Sequence, residues 1–359
     1  MPDSGQGGAV GDRSSVRAFV GSFTSAGGPG VVTADVDAAT GALTWTGATD
    51  AVPDPSYLTV GTAESGPVLY AVSETAEGAV AAFDISGEQP RLMGAPVPVS
   101  GSGPTHLSLA SGHLLTANYG SGSVSALPVG PDGEPRSASG VLRHEGRGPD
   151  PERQREPHAH QVLPDPTGRW VVSVDLGTDS VRVYALDPAT GVPAPHTETA
   201  VGPGTGPRHL AFHPAGGHAY VLGELRPVLT VCRWDAAAGQ LEPLAEVPVL
   251  PDDGHDGPSY ASAVVTAHDG RFLWAANRGH DSLAVFRLGG DGEKAELVTT
   301  VPCGGHWPRD LALDPTGTRL YVANERSGDV TWFDVDAETG VPRRAGSLAV
   351  TAASCVVFA

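Results

Sequence analysis

RLYVANERSGDVTWFDVDAETG, residues 319–340, decides the fold of this chain. The stretch holds a short apolar run, a polar turn, a second run in which apolar and polar residues alternate, and a turn that contains glycine. Alternation with a period of two is typical of half-buried β-strands, and Asp and Gly suit the backbone angles of tight turns. The stretch therefore predicts two short antiparallel strands and the turn that leads to the next one.

The same pattern returns along the whole chain, at residues 17–41, 67–88, 113–133, 169–191, 218–239 and 271–292. In each copy a small or polar residue ends the first run: Gly21, Ser73, Asn118, Asp175, Gly223, Asn277 and Asn324. Their successive spacings are 52, 45, 57, 48, 54 and 47 residues. No apolar periodicity of the helical kind accompanies them. Seven all-β units of about 50 residues predict a seven-bladed β-propeller with four strands in each blade.

Most units open with one more strand, such as PRHLAFHP (207–214), which would be the innermost strand of its blade. The first unit lacks this strand and starts directly at 18–23, whereas the chain finishes with a matching pattern, SCVVFA (354–359). We therefore expect the C-terminal strand to pair with the N-terminal strands and close the ring, which removes exposed strand edges. Residues 17–359 are expected to form one propeller domain, and residues 1–16 a flexible N-terminal tail.

Charge and composition argue against several classes of function. The 359 residues include 22 Lys and Arg against 41 Asp and Glu, which gives a formal net charge of −19. Such a chain is not expected to bind nucleic acid or anionic membranes. Its three cysteines form no Cys-x-x-Cys pair and suggest neither a zinc site nor disulfides. Residues 1–16 lack the apolar core of a signal peptide, and no run approaches the ~20 apolar residues that span a bilayer. We expect a cytoplasmic protein whose oligomeric state the sequence leaves open.

Charged residues stand at equivalent positions of the repeats, where a purely structural blade would carry small or apolar residues. The innermost strands of a propeller begin beside its central channel, and these starts carry His106, His158, His160, Arg208, His209 and Arg309. The ends of the strands that follow add Glu224, Arg278 and Glu325. These residues are predicted to face one shared concave site at the end of the channel.

The sequence PHAH, residues 157–160, places two histidines on one face of a predicted strand. Such a pair could hold a metal ion, but no carboxylate-rich set of partners accompanies it. A role as general acid or base is the better interpretation, because imidazole titrates near neutral pH. We therefore expect a site that contains neither a metal nor another cofactor.

GPRHLAFHP followed by YVLGEL, within residues 206–225, resembles the seven-bladed propeller lactonases of the bacterial 6-phosphogluconolactonase type. The likeness continues through PHAHQVLPDPTGRW (157–170), YASAVVTAHDGRFLWAANRG (260–279) and WPRDLALDPTGTRLYVAN (307–324), and it covers residues 17–359. The resemblance implies a hydrolase of the pentose phosphate pathway that opens 6-phosphoglucono-1,5-lactone to 6-phosphogluconate.

Two alternatives remain beside this interpretation. A fungal relative of the same fold, 3-carboxy-cis,cis-muconate cyclase, closes a lactone instead of opening one. A cycloisomerase, or a lactonase for a muconate-type or other lactone, therefore stays possible. The second alternative is a non-catalytic propeller that serves as an interaction scaffold, in which the channel residues would not converge.

For single residues, the resemblance implies a catalytic set of His158 or His160 with Arg208, Glu224 and Arg278. The two arginines would bind the small anionic lactone and polarise its carbonyl, because a planar guanidinium matches phosphate and carboxylate oxygens. One of the histidines, or Glu224, would take a proton from the attacking water. The expected substrate contacts are His106, His209, Arg309 and Glu325, of which the last two could instead be salt-bridged partners in the channel wall.

The turn around Glu224 departs from the family pattern. Gly223 stands where close relatives carry a polar residue, and residues 225–227, Leu-Arg-Pro, replace a small polar turn. We expect this departure to loosen the geometry around Glu224.

Overall fold

The computed structural model describes residues 16–187, 189–251 and 257–359. The tail expected over residues 1–16 thus lies outside the described residues, except for Val16. The described residues form strands and two short 3₁₀ turns, Thr24–Ala26 and Tyr119–Ser121. Within these ranges, no helix has the length and apolar character that a membrane crossing requires.

Twenty-eight strands form seven antiparallel sheets of four strands, which are the blades of a propeller. From the innermost strand outwards, blade 1 contains β28 (Ala353–Phe358), β1 (Arg17–Ser22), β2 (Val31–Val36) and β3 (Leu43–Thr49), and blade 2 contains β4 (Leu58–Ala63), β5 (Gly66–Ser73), β6 (Ala79–Asp84) and β7 (Arg91–Pro98). Blade 3 contains β8 (Pro104–Ala110), β9 (His113–Asn118), β10 (Ser123–Pro128) and β11 (Gly140–Arg143). Blade 4 contains β12 (Ala159–Pro164), β13 (Trp170–Asp175), β14 (Ser180–Leu186) and β15 (Pro193–Ala200).

In the same order, blade 5 contains β16 (Pro207–Phe212), β17 (His218–Gly223), β18 (Val228–Asp235) and β19 (Gln240–Pro248). Blade 6 contains β20 (Tyr260–Thr266), β21 (Phe272–Arg278), β22 (Ser282–Gly289) and β23 (Lys294–Pro302). Blade 7 contains β24 (Pro308–Leu313), β25 (Arg319–Asn324), β26 (Asp329–Val335) and β27 (Pro342–Ala349). The seven-bladed architecture that the repeats predict is therefore confirmed.

The C-terminal strand closes the ring, as the sequence predicts. Strand β28 pairs antiparallel with β1, and the backbones of Arg17 and Ala359 exchange hydrogen bonds of 3.0 and 2.9 Å. The innermost strands contact one another in succession around the central channel, from β4 through β8, β12, β16, β20 and β24 to β28. Blade 1 is thus built from both ends of the propeller sequence.

Apolar side chains fill the space between blades in seven clusters, one for each pair of neighbours. At five of these interfaces, an aromatic residue of a second strand also donates a hydrogen bond to a carbonyl in the outer hairpin of the next blade. The donors are Tyr70, Trp170, Tyr220, Trp274 and Tyr321, at 2.7–2.9 Å. Each ring buries a large apolar surface and still satisfies its polar atom, which fixes neighbouring blades against each other.

A β-bulge recurs near the start of the innermost strand in six blades. Arg208, for example, has no partner between the pairs Pro207–Gly223 and His209–Leu222. The equivalent bulge residues are Thr105, His160, Arg208, Ser262 (followed by Ala263), Arg309 and Ser354. A bulge re-aims the side chain of its extra residue. Neighbouring bulges meet at the end of the channel.

Two hydrogen bonds between blades show this meeting. Thr105 Oγ1 donates to the carbonyl of His160 at 3.0 Å. Ser262 Oγ donates to the carbonyl of Pro308, next to the bulge of blade 7, at 2.6 Å. The bulges therefore build a ring of side chains around one end of the channel.

Candidate active site

The residues predicted at the starts of the innermost strands and those predicted at the ends of the second strands lie at the same end of the channel. In six of the seven blades, the innermost strand begins opposite the residue that ends the second strand, so that Tyr260 pairs with Arg278 and Pro207 pairs with Gly223, just before Glu224. The structure brings the predicted residues together in two ion-paired groups and one group of buried histidines. His158 belongs to none of these groups and stacks on Tyr119, whose ring centroid lies 5.7 Å from that of His160.

Glu224 joins three arginines in a group that we call the Glu224 cluster: Glu224, Arg153, Arg208 and Arg278. Its Oε1 lies 2.8 Å from Arg153 Nη2, and its Oε2 lies 2.8 Å from Arg278 Nη2 and 3.2 Å from Arg208 Nε. The Arg208 contact is an ion pair without hydrogen-bond geometry. Burial favours the neutral acid, but the charges of the three arginines outweigh burial and hold the pKa of Glu224 at about 2. Glu224 is therefore a carboxylate that holds arginines in place and is a weak base.

The two buried arginines of the Glu224 cluster each keep one amino group available. Arg208 Nη1 donates to the carbonyl of Ser262, and Arg278 donates to the carbonyls of Tyr260 and Ala261 at 3.3 and 3.4 Å. Burial and the charges of nearby arginines lower the pKa of Arg208 to about 9, so that it stays a cation at neutral pH. Arg208 Nη2 and Arg278 Nη1 have no hydrogen-bond partner among the described residues, and both can donate to a bound molecule.

Arg309 forms the second ion-paired group. Its Nη1 lies 3.2 Å from Glu325 Oε2, its Nη2 lies 3.7 Å from Glu74 Oε2, and its guanidinium lies 4.8 Å from the ring centroid of Phe23. Burial disfavours the cation, but the charges of Glu74 and Glu325 raise the pKa of Arg309 overall. Of the two expectations for Arg309 and Glu325, the structure shows the salt bridge in the channel wall.

Three buried histidines lie close together near Arg208. The ring centroid of His209 is 5.9 Å from that of His106 and 5.6 Å from that of His160, and His106 lies 4.2 Å from Tyr57. Burial and then the charge of Arg208 lower all three pKa values, to about 3 for His106 and well below the usual range for His160 and His209. All three are neutral at physiological pH. In the part of the chain that the structure describes, Nδ1 of His106 and Nδ1 of His160 are buried without a hydrogen-bond partner.

His158 is half-buried and packs against Tyr119. Its Nδ1 bonds to the Tyr119 carbonyl at 2.9 Å, and the two rings stack with centroids 4.3 Å apart. Because a carbonyl only accepts, Nδ1 carries the proton and Nε2 is left as an acceptor. Over residues 16–187, 189–251 and 257–359, no group of three or more His, Cys, Asp or Glu residues could hold a metal ion.

Arg153 is a site residue that sequence reasoning missed. It lies in the connection from β11 to β12, residues 144–158, which is the longest connection between two blades. Its Nη2 reaches both Glu224 Oε1 and the Tyr119 hydroxyl, the latter at 3.2 Å. The signal available in the sequence was the length of this connection and its three arginines, Arg147, Arg153 and Arg155.

Asp310 is a second residue to which the sequence assigned no role. It follows the bulge at Arg309 and is 6% exposed, and its Oδ2 accepts a hydrogen bond from Val356 N at 3.4 Å. Burial raises the pKa of Asp310 to about 7, although the Arg208 guanidinium opposes this. Asp310 lines, with Tyr57, Arg208 and other residues, a narrow space that has room for about one water molecule.

The turn at Gly223 is tight, so the expectation of loose geometry is wrong. A Cβ atom at Gly223 would lie 2.4 Å from Thr205 Cγ2 and 2.6 Å from the Arg226 carbonyl oxygen. The backbone N–H of Glu224 donates to the Gly206 carbonyl at 2.8 Å. Glycine is required here because no side chain fits, and the close contact fixes the backbone that carries Glu224.

Comparison with known proteins agrees with this geometry. The sequence profile of the family described as "Lactonase, 7-bladed beta-propeller" matches residues 17–358. The chain is 37% identical over 328 residues to the 6-phosphogluconolactonase of Bacillus subtilis strain 168, and this alignment covers 90% of the chain and 92% of the relative. The convergence of charged residues at the channel and this relationship contradict the alternative of a non-catalytic scaffold.

Solved structures show the same architecture. The chain superposes on a protein from Lactobacillus plantarum with a TM-score of 0.89 and 29% identity, covering 96% of this chain and 99% of the other. It superposes on the periplasmic gluconolactonase of Pseudomonas aeruginosa with a TM-score of 0.87 and 29% identity, again covering 96% and 99%. The chain belongs to the lactonase family of seven-bladed β-propellers and is a lactone-hydrolysing enzyme of the 6-phosphogluconolactonase type.

Proposed function

We propose that this lactonase hydrolyses 6-phosphoglucono-1,5-lactone to 6-phosphogluconate. One observation carries the proposal: two buried guanidiniums with available donors, Arg208 and Arg278, lie at the same end of the channel as a neutral imidazole, His160, whose Nδ1 has no partner among the described residues. A set of cations in a chain of net charge −19 is suited to an anionic substrate. The name of the Bacillus subtilis relative supports the phosphorylated lactone.

In this proposal, Arg208 Nη2 and Arg278 Nη1 donate to the carbonyl oxygen of the lactone and stabilise the oxyanion that forms on attack. His160 takes a proton from water as the water oxygen bonds to the carbonyl carbon. The bond between the carbonyl carbon and the ring oxygen then breaks, and the ring oxygen takes the proton back from the imidazolium. The product is an open-chain hydroxy acid, which ionises to its carboxylate.

The magnitudes of these effects suffice for an activated ester. A positioned base contributes ~10²–10⁴-fold, and oxyanion stabilisation contributes ~10²–10³-fold. Together they remove about 5–10 kcal/mol from the barrier.

His160 is the preferred base among the three candidates. Both carboxylate oxygens of Glu224 are already engaged in ion pairs with guanidiniums. His158 keeps Nε2 as an acceptor, but it stacks on Tyr119 and is not one of the three histidines grouped near Arg208. His160 occupies the bulge position equivalent to that of Arg208, and its buried Nδ1 has no partner in the described part of the chain.

The test is lactone hydrolysis by wild type, His160→Gln and His158→Gln. Acid release from freshly made 6-phosphogluconolactone is followed at neutral pH in the presence of EDTA. Wild type is expected to exceed the spontaneous rate, His160→Gln to lose ~10²–10⁴-fold in kcat, and His158→Gln to lose much less. A wild type that does not accelerate the reaction overturns the proposed substrate, and a fully active His160→Gln overturns the assigned base.

The same assay with glucono-1,5-lactone and a muconate-derived lactone decides between substrates. Preference for the phosphorylated lactone would support a place in the pentose phosphate pathway and therefore a cytoplasmic enzyme. The Pseudomonas aeruginosa neighbour is named periplasmic. Preference for the unphosphorylated lactone would instead favour that location, and cell fractionation checks it.

A further inference from the structure

The arginines of the site differ in how many of their N–H donors already take part in hydrogen bonds or ion pairs. The side chains of Arg208 and Arg278 are 3% and 8% exposed, and that of Arg309 is 17% exposed and paired with two carboxylates. The side chain of Arg153 is 40% exposed, and both of its contacts use Nη2. Its Nε and Nη1 have no partner within the described ranges. Arg153 is therefore the cation of the site with the most donors left for a bound molecule.

Formal charge is distributed unevenly between the two ion-paired groups of the site. In the Glu224 cluster, three guanidiniums face one carboxylate, so the cluster has a formal charge of +2. On the other side, Arg309 faces Glu74 and Glu325, which leaves a formal charge of −1. A phosphate monoester carries about −1.5 to −2 charges near pH 7. The Glu224 cluster thus matches a dianionic group, and the Arg309 side does not.

The backbone that carries Arg153 is fixed before any substrate binds. Asp150 Oδ1 accepts the backbone N–H of Arg153 at 2.9 Å. The next residue, Gln154, is fully buried, and its Nε2 donates to the Leu176 carbonyl and to Asp179 Oδ1, both at 2.8 Å. A donor held in position on a rigid loop loses little entropy on binding. Such anchoring is what a recognition residue needs.

We propose that Arg153 determines substrate specificity by binding the phosphate of the lactone through the N–H donors that its contacts with Glu224 and Tyr119 leave available. This inference rests on the proposed function, since it concerns the phosphorylated substrate of the same site. The buried Arg208 and Arg278 then act on the lactone carbonyl, while the exposed Arg153 holds the far end of the substrate nearer to the solvent. Guanidinium is suited to this role because it is always charged and can donate to a phosphate oxygen while its Nη2 stays bonded to Glu224.

The experiment compares two substrates in wild type, Arg153→Gln and Arg153→Lys. For 6-phosphogluconolactone, Arg153→Gln is expected to raise KM by about 10- to 100-fold and to change kcat little. The reason is that a phosphate contact stabilises the bound substrate and the transition state equally, so its loss weakens binding without slowing the chemical step. For glucono-1,5-lactone, kcat/KM is expected to fall about 10- to 100-fold less, because loss of the ion pair with Glu224 affects both substrates and loss of the phosphate contact affects only one. Arg153→Lys keeps the charge but not the planar set of donors that contacts Glu224 and a phosphate together, and it should lie between wild type and Arg153→Gln.

The matched control is Arg155→Gln, two residues along the same connection. Arg155 is exposed and donates to the carbonyl of Pro151, and the substitution changes the net charge of the protein by the same amount. Arg155→Gln is expected to leave both substrates unaffected. Equal losses on the two lactones in Arg153→Gln, or no loss on either, overturn the inference, because a purely structural role would not distinguish them.

Calorimetry with 6-phosphogluconate separates this inference from the proposed function. If wild type hydrolyses neither lactone, the proposed function fails, and affinity for the phosphorylated acid still tests Arg153. Wild-type binding that weakens by about 10- to 100-fold in Arg153→Gln supports the phosphate contact. Absent binding in wild type, or equal binding in both proteins, overturns it.

Discussion

Asp310→Asn is expected to stabilise the protein near pH 8 and to have little effect near pH 4. Asp310 is buried, and burial raises its pKa from 3.8 to about 7 in the folded protein. In the unfolded chain the same carboxyl ionises near pH 4. Between these values the folded state binds more protons than the unfolded state, so the free energy of unfolding falls as the pH rises. Asparagine carries no titrating proton and removes this loss.

The magnitude follows from the two pKa values. Each pH unit between 3.8 and about 7 is worth ~1.4 kcal/mol, so the wild type loses up to about 4 kcal/mol across this interval relative to Asp310→Asn. The loss is complete above pH 7 and absent below pH 4. The bond from Val356 N can persist, because the amide oxygen of asparagine also accepts.

Urea unfolding at several pH values between 4 and 8 measures this difference. The control is Asp35→Asn, which makes the same chemical change at an exposed aspartate of β2. Its free energy of unfolding should depend on pH as that of the wild type does. The reasoning is refuted if Asp310→Asn and wild type lose stability in parallel as the pH rises. A variant whose deficit in stability relative to wild type grows as the pH rises would likewise show that the carboxylate form of Asp310 is the favourable one.

Three further predictions concern the site and the ring. Glu224→Gln leaves the three guanidiniums without their carboxylate and should lower the free energy of unfolding, measured with urea, by about 3–5 kcal/mol. The variant should also lose the lactonase activity, and unchanged stability would contradict the ion-pair role. Gly223→Ala forces a Cβ against Thr205 and should cost about 1–3 kcal/mol by thermal unfolding, whereas Gly217→Ala, where a Cβ meets nothing, should be neutral. Deletion of residues 353–359 removes β28, exposes the edge of β1 and should give aggregated or unfolded protein in size-exclusion chromatography; a folded monomer would argue against closure by β28.

The fold could be predicted from the sequence because its determinants are local and repeated. Alternation of apolar and polar residues marks strands, and Asp- and Gly-containing turns mark their ends. Of the residues marked in the repeats, Ser73, Asn118, Asp175, Gly223 and Asn324 each end a second strand. Even the ring closure follows from one missing strand at the start and one additional strand at the end.

The site was predictable only where it depends on the repeat. Arg208, Glu224 and Arg278 stand at equivalent positions of the blades, and the structure brings them together. Arg153 was missed because a connection, and not a strand, carries it to Glu224, 71 residues away in the sequence. The path of that connection depends on the buried side chain of Gln154, and no periodicity reveals such an anchor.

The bulges also explain how one scaffold can accept different chemistry. A bulge residue is the one member of the innermost strand that pairs with nothing in the ladder, so its side chain can be exchanged without shifting the register of the sheet. Thr105, His160, Arg208, Ser262, Arg309 and Ser354 are such positions. Each blade but one thus offers a position at which selection, or a combinatorial library, can alter reactivity without shifting the register of the sheet. Lactones of new shape could be accommodated by substitutions at these positions around one circle, while the register of every sheet stays as it is.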